Sequence, residues 1–422
     1  MKHQYIKHYD EHIYIQKISS GLTIVALPKP DVKTTYAAIA LPFGSCHINF
    51  KKDNKTYRLP HGSAHFFEHK IYASQEGDMF SKFVKLGLDP NAMTSYDTTT
   101  YFFSATKHIF EGIDLLFETL DHPYFTDENI RSEQLIINEE INMDKDDIMT
   151  SLYQRLYENM FVSHSIKADI LGTTQSISEI NKEILYWIHQ HIYQDQHKLL
   201  VLSGNVDMEA LETYINKLEH SRKQNVHEIT FDKPNEPFNV IKEKDELVKD
   251  MSTSRVLIGI KLPEFQDELL FNKMKHSLYI ALHTMIGDAS DIHQEWIDQD
   301  IIHQTVQFHI THVKGANHLV IQVQTDYPEV VLKEIQQIIS QDVNKFINTQ
   351  TFNRLKKTVT ASQILSLDQQ EFKMFQYLKA YFKNVDMFQI MTVINEVEFK
   401  DVVHFGNQLN HFPMSTLIAR KK

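Results

Sequence analysis

Leu22-Thr23-Ile24-Val25-Ala26-Leu27 and Tyr36-Ala37-Ala38-Ile39-Ala40-Leu41 open a pattern that the chain writes twice. Both runs are short, apolar and bounded by turn residues, as buried strands are. A helix is expected over 61–73, a hairpin from Ala92 to Thr106, and helices over about 108–120, 126–147, 149–161 and 177–193. Leu199-Leu200-Val201-Leu202-Ser203-Gly204 closes this half as a further strand. The order then returns. Strands are expected at Phe238 to Lys242 and Arg255 to Ile260, a helix near 267–286, and strands near 303–313 and 318–325. Helices follow from about 328 to 409, and Thr416-Leu417-Ile418-Ala419 ends the series. The layout is α+β, with two similar domains, each a mostly antiparallel sheet with helices packed on one face. The expected domains are 1–222 and 237–422, joined by a polar linker at 223–236 that contains Pro234.

A chain of 422 residues has room for two such cores. Its 43 basic and 55 acidic residues give a net charge of −12, which argues against nucleic acid or an anionic membrane as the main partner. The single cysteine, Cys46, has no internal partner and suits a reducing compartment. The N-terminal residues lack the apolar core of a signal peptide, and no run is long enough for a membrane span. The expected setting is cytoplasmic.

Chemistry concentrates in His61-Gly62-Ser63-Ala64-His65-Phe66-Phe67-Glu68-His69. On a helix, His65 and His69 stand one turn apart on one face, and Glu68 lies beside His65. Two imidazoles, a third ligand, an open position for water and a nearby carboxylate are the parts of a zinc hydrolase. Phe66 and Phe67 would anchor the helix in the core. The competing reading is a histidine pair with no metal, which is plausible in a chain with 24 histidines.

A third ligand is available downstream. Ser132-Glu133-Gln134-Leu135-Ile136-Ile137-Asn138-Glu139-Glu140-Ile141 reads as a helix with an apolar side at Leu135, Ile136, Ile137 and Ile141. Glu133 and Glu140 are seven residues apart and share a face, so one can ligate while the other orients a ligand. A solvated acidic face continuing through Asp144 and Asp147 is the alternative.

The H-x-x-E-H motif, the Asn91-Ala92 pair and the downstream Glu-Glu resemble the pitrilysin/insulinase family of inverted-motif zinc peptidases. The half-length chain looks most like bacterial members related to mitochondrial processing peptidase. Gly44-Ser45, Ile170-Leu171-Gly172-Thr173 and Leu202-Ser203-Gly204-Asn205-Val206-Asp207 extend the likeness, which is weaker in the second half. The resemblance implies a metalloendopeptidase with Zn²⁺ held by His65, His69 and Glu140, and Glu68 as general base. It favours Glu140 over Glu139, because the family spaces its supporting Glu, here Glu133, seven residues before its ligand. The interval from His69 to Glu140 is somewhat short for the family and implies a trimmed loop. Asn91 and Ala92 resemble the edge segment that holds substrate backbone, where an added peptide strand gains ladder hydrogen bonds. A simple turn after Pro90 is the other reading of Asn91.

One part of the pattern is missing. Active family members carry an Arg and, seven residues later, a Tyr in the second half. The matching stretch, 289–304, puts Ile297 and Gln304 at those positions. The resemblance therefore implies a homologous subunit that supplies the pair in a heterodimer, with a homodimer possible, or a stand-in such as His303 or Tyr279. A non-catalytic, peptide-binding or scaffolding subunit is the second functional class. The groups His189/His191/His197 and His309/His312 have no carboxylate at ligand spacing, and Cys46 has no activating neighbour.

Overall fold

The computed structural model describes residues 1–52, 55–223, 229–232 and 235–422. They form two compact units. The first comprises Met1–Met143, Ala168–Asp232 and Ile364–Asn384, and the second Asp144–Lys167, Lys233–Gln363 and Val385–Lys422.

The first unit holds a seven-stranded sheet in the spatial order Lys2–Ile6, Glu11–Lys17, Thr23–Pro28, Leu199–Gly204, Thr35–Leu41, Thr99–Ala105, Asp89–Thr94. All neighbours are antiparallel except Leu199–Gly204 with Thr23–Pro28. The second unit repeats the inner part with five strands, in the order Lys244–Lys249, Met414–Lys421, Arg255–Lys261, His318–Gln324, Gln307–Thr311. Its one parallel pair joins its first and last strands, Lys244–Lys249 and Met414–Lys421, as Thr23–Pro28 joins Leu199–Gly204 in the first unit. The α+β reading and the repeat both hold.

Alternation along the strands explains how each sheet is covered. Tyr101 and Phe103 enter the main core with Ile24, Ile39 and Leu200. Phe102 points the other way and meets Phe375 edge-on at 5.2 Å. Phe375 belongs to the helix Gln370–Phe382, which comes from the second half of the sequence but packs in the first unit. Lys373 on this helix reaches the carboxylate of Glu11 at 3.0 Å, with both side chains buried. The second unit receives the helix Ile148–Met160 from the first half in return. There Tyr153 donates to Gln322 at 3.2 Å, and Tyr157 pairs with His318 at 3.0 Å. Compact units and sequence halves thus differ at these two helices.

Several elements depart from expectation. Phe238 to Lys242 is not a strand. The ladder with Met414–Lys421 begins at Lys244, opposite Thr416, and Phe238 and Ile241 stay exposed. The helix expected over 177–193 is two helices, Thr174–Ser178 and Lys182–Ile192, because Asn181 caps the second through Ile184 N. The helix Asp291–Asp298 and the strands Lys2–Ile6 and Glu11–Lys17 were not anticipated. Of the linker expected at 223–236, residues 224–228 and 233–234 lie outside the described residues, while Thr230–Phe231 pairs with Asn49–Lys52. No helix among the described residues is long and apolar enough to cross a membrane.

Candidate metal centre

The motif lies on the helix Ser63–Lys70, and its start is pinned by a tight backbone crossing. Gly62 has φ +85°, and a Cβ there would lie 2.3 Å from the carbonyl oxygen of Leu171. Gly172 has φ +81°, and its Cβ would lie 2.5 Å from the carbonyl oxygen of His61. Only glycine meets both demands. Ser176 Oγ closes the crossing by donating to His61 O at 2.8 Å. The Leu171-Gly172-Thr173 segment therefore sets where the helix begins. Phe66 and Phe67 are fully buried, Phe67 packing 4.2 Å from the Tyr193 ring. With that side anchored, the His65 and His69 rings come together on another, their centroids 4.4 Å apart.

The second helix, Asp127–Asp146, buries Ile130, Glu133, Ile137 and Ile141. The expected apolar side was too wide: Leu135 and Ile136 are exposed, because consecutive residues lie 100° apart and only 130, 137 and 141 recur at core spacing. Glu133 enters that face because two partners receive it. Its Oε1 lies 3.1 Å from His69 Nδ1, and its Oε2 accepts from Lys70 Nζ at 2.8 Å. Two turns on, Glu140 Oε2 stands 3.9 Å from His69 Nε2. One donor atom each from His65, His69 and Glu140 lies within 4.8 Å of the others, the only such trio of His, Cys, Asp or Glu among the described residues. Glu139 is exposed and outside the trio.

Glu68 is buried, and Thr94 Oγ1 donates to its Oε2 at 2.8 Å. Burial raises the Glu68 pKa, and the Thr94 bond offsets only part of that rise. Burial, helped by the neighbouring His69, pulls His65 down to about 3, so its imidazole is neutral. Burial also acts to lower His69, but its bond to Glu133 and the carboxylates of Glu140 and Glu68 outweigh that and raise it. Burial would raise Glu133, yet its bonds to His69 and Lys70 prevail and hold it low.

These residues fit a divalent cation. Three carboxylates, Glu133, Glu140 and Glu68, surround His69, and Lys70 bonds only the first of them. His65 Nδ1 is buried with no hydrogen-bond partner among the described residues. Two imidazoles and a carboxylate form a donor set that suits zinc.

A cavity of about 480 Å³ opens beside the centre, lined among others by Glu68, His69, Tyr72, Phe80, Asn91 and Ala92. Asn91 and Ala92 lie in the outermost strand, Asp89–Thr94, not in a turn, and Asn91 Oδ1 accepts from Ala92 N at 2.8 Å. Sequence reasoning missed two members of the site, Lys70 and Thr94. A lysine in a helix expected to be core was the signal for the first. For the second, period two along the strand puts Thr94 on the face of Ala92.

The other histidine groups flagged in the sequence make contacts of their own. His189, His191 and His197 bond to the carbonyls of Leu120, Trp187 and Ile192. His312 stacks on Phe271 and pairs with Glu268 at 3.3 Å, and the ring of His309 lies 6.3 Å from that of Tyr153. Burial pushes the Cys46 thiol up to about 12, with Asp97 adding to it, so no reactive thiolate forms. In the second unit, Ile297 is partly exposed on the helix Asp291–Asp298, and Gln304 follows that helix as an exposed residue. His303 pairs with Asp326 at 3.2 Å, and the Tyr279 ring packs 4.1 Å from His283.

Residues 26–174 match the family model Insulinase (Peptidase family M16), the same family that the motif residues resemble. Across nearly the whole chain there is similarity to a Bacillus subtilis (strain 168) protein named uncharacterized zinc protease YmfH, 28% identical over 398 residues, 93% of this chain and 92% of that one. A putative M16-like peptidase from Alicyclobacillus acidocaldarius shares the fold with a TM-score of 0.92 at 23% identity, covering 98% of this chain and 99% of that one. So does a protein from Pseudomonas fluorescens described as a peptidase M16 inactive domain, with a TM-score of 0.76 at 14% identity, covering 97% and 98%.

Proposed function

We propose that the chain is the catalytic subunit of a zinc endopeptidase acting on peptides or unfolded segments, with His65, His69 and Glu140 as ligands and Glu68 as general base. The observation that carries this reading is the convergence of those three donors beside a buried carboxylate fixed by Thr94. A zinc ion there would act as a Lewis acid on the scissile carbonyl and lower the pKa of water to about 7. The chain's own groups do the rest. Neutral His65 offers a lone pair, and Glu133 holds His69 in the tautomer that leaves Nε2 free. Glu68, its pKa raised by burial, takes a proton from the attacking water and delivers it to the leaving amine. The strand Asp89–Thr94 offers a sheet edge for an extended peptide, and the adjoining cavity receives a side chain.

Ile297 and Gln304 favour a partnered enzyme, since neither supplies the charge or phenol that the family's pattern has there. The partner is a homologous subunit in a heterodimer, or a second copy in a homodimer. The test is Glu68→Gln, assayed on a quenched peptide with and without co-purified partner. Zinc content should remain at one per chain while turnover falls at least ~1,000-fold. A variant that keeps its activity removes Glu68 from the chemistry. Wild-type protein that takes up no zinc on reconstitution overturns the centre, and activity from the isolated monomer removes the need for a partner.

A further inference from the structure

We propose that Lys70 is a positioning residue of the metal centre: it pins the Glu133 carboxylate so that His69 presents Nε2 to the ion. This rests on the zinc reading above. The two oxygens of Glu133 divide their work. Oε2 accepts from Lys70 Nζ at 2.8 Å, and Oε1 takes the bond from His69 Nδ1 at 3.1 Å. The Lys70 and Glu133 side chains are each only 10% exposed, so neither trades its partner freely for water. A carboxylate bonded through one oxygen alone can swing about its last torsion, whereas one held at both oxygens has a fixed plane. Its plane fixes the tilt of the His69 ring, because Nδ1–H must point at Oε1. With Nδ1 committed, the remaining lone pair on Nε2 faces Glu140, 3.9 Å away.

Lys70 also settles a charge problem. Without its ammonium, Glu133 would be a buried carboxylate with only the His69 imidazole to compensate. The supporting carboxylate is thus held from the motif helix itself, by the residue that follows its last histidine. A plain staple between the helices Ser63–Lys70 and Asp127–Asp146 is the rival role, and it would affect folding rather than metal.

Zinc affinity therefore decides, measured by competition with a chromogenic chelator, alongside thermal unfolding of the metal-free protein. Lys70→Met should weaken zinc binding by ~10–100-fold, the range typical of groups that orient a ligand. Lys70→Arg, which keeps a cation with donors, should stay within a few-fold of wild type. Glu133→Gln should lose at least as much as Lys70→Met, and the double variant no more than Glu133→Gln alone, since Lys70 acts through Glu133. If Lys70→Met does not fold, Lys70→Gln carries the same expectation. Zinc affinity unchanged in the Met or Gln variant, with only the metal-free melting point lowered, overturns the inference and leaves the zinc reading standing. Wild-type protein that binds no zinc overturns both.

Discussion

Glu68 shows how a few contacts turn an ordinary side chain into a candidate base. Its burial raises the pKa, yet a carboxylate free to rotate would spend little time aimed at a water. Thr94 restricts that freedom by holding one carboxylate oxygen through its hydroxyl at 2.8 Å. Thr94→Val keeps the shape and removes the donor, and hydrogen bonds to charged groups contribute about 1.5–3 kcal/mol. Turnover should fall ~10–100-fold with zinc content and KM little changed, and Thr94→Ser should restore most of it. Steady-state kinetics with metal analysis on the same samples checks this. Unchanged kcat in the Val variant would mean that Glu68 is oriented by something else. Of the site residues, His65, Glu68 and His69 could be placed on one helix from spacing, and Glu133 and Glu140 on one face of another, because helical periodicity converts sequence distance into shared faces; which Glu ligates came from the family resemblance. Lys70 and Thr94 had only indirect signals, a lysine on a core helix and a strand face shared with Ala92, since the contact through which each acts is to a distant residue that no local period encodes.

At the scale of elements, the motif helix is short, and its start depends on the loop that crosses it at Gly62 and Gly172. A β-carbon at either glycine strains a left-handed φ, costing roughly 1–2 kcal/mol, and also strikes a carbonyl oxygen that has no room to retreat. Gly172→Ala should therefore destabilise the protein by about 2 kcal/mol or more. It should also weaken zinc binding, because the His65 end of the helix shifts. Thermal unfolding and zinc titration test both, and a variant with wild-type melting would show that the crossing tolerates a side chain. The same scale shows which elements were legible. Strands buried on both faces, such as Leu199–Gly204, announce themselves as apolar runs. Phe238 to Lys242 has the same look over a shorter span, but its hydrophobes find no core, and the ladder starts at Lys244. The exchange of the helices Ile148–Met160 and Gln370–Phe382 between sheets is invisible to periodicity, which reports that a face is apolar but not what covers it.

Across the whole molecule, acid should act in two separate windows. The second unit buries His276 and His318, and burial lowers both to about 4 from an ordinary value near 6.5. His318 is held neutral by geometry. Its Nδ1 lies 2.7 Å from the Ala316 carbonyl and must donate, so Nε2 accepts from the Tyr157 hydroxyl at 3.0 Å. Because the folded pKa lies below the unfolded one, the unfolded chain binds more protons between these values. The associated stability is fully present above pH ~6.5 and is lost as pH falls towards about 4, on the order of 3 kcal/mol per histidine. Carboxylates act lower. Burial would raise Glu236 and Asp121, but the Lys261 and backbone bonds of the first, and Lys198 and Arg222 beside the second, bring both down to about 2. Their contributions persist above the unfolded range near 4 and disappear as pH falls through 2. Thermal unfolding followed from pH 7 to pH 2 should show a first decline between about 6.5 and 4 and a second below 4. His318→Gln keeps a neutral polar group in place, so it should be less stable at pH 7 yet show a shallower first decline, with the second unchanged. Equal slopes for wild type and variant between pH 6.5 and 4 would exclude His318 as a source of the acid sensitivity, whatever its burial.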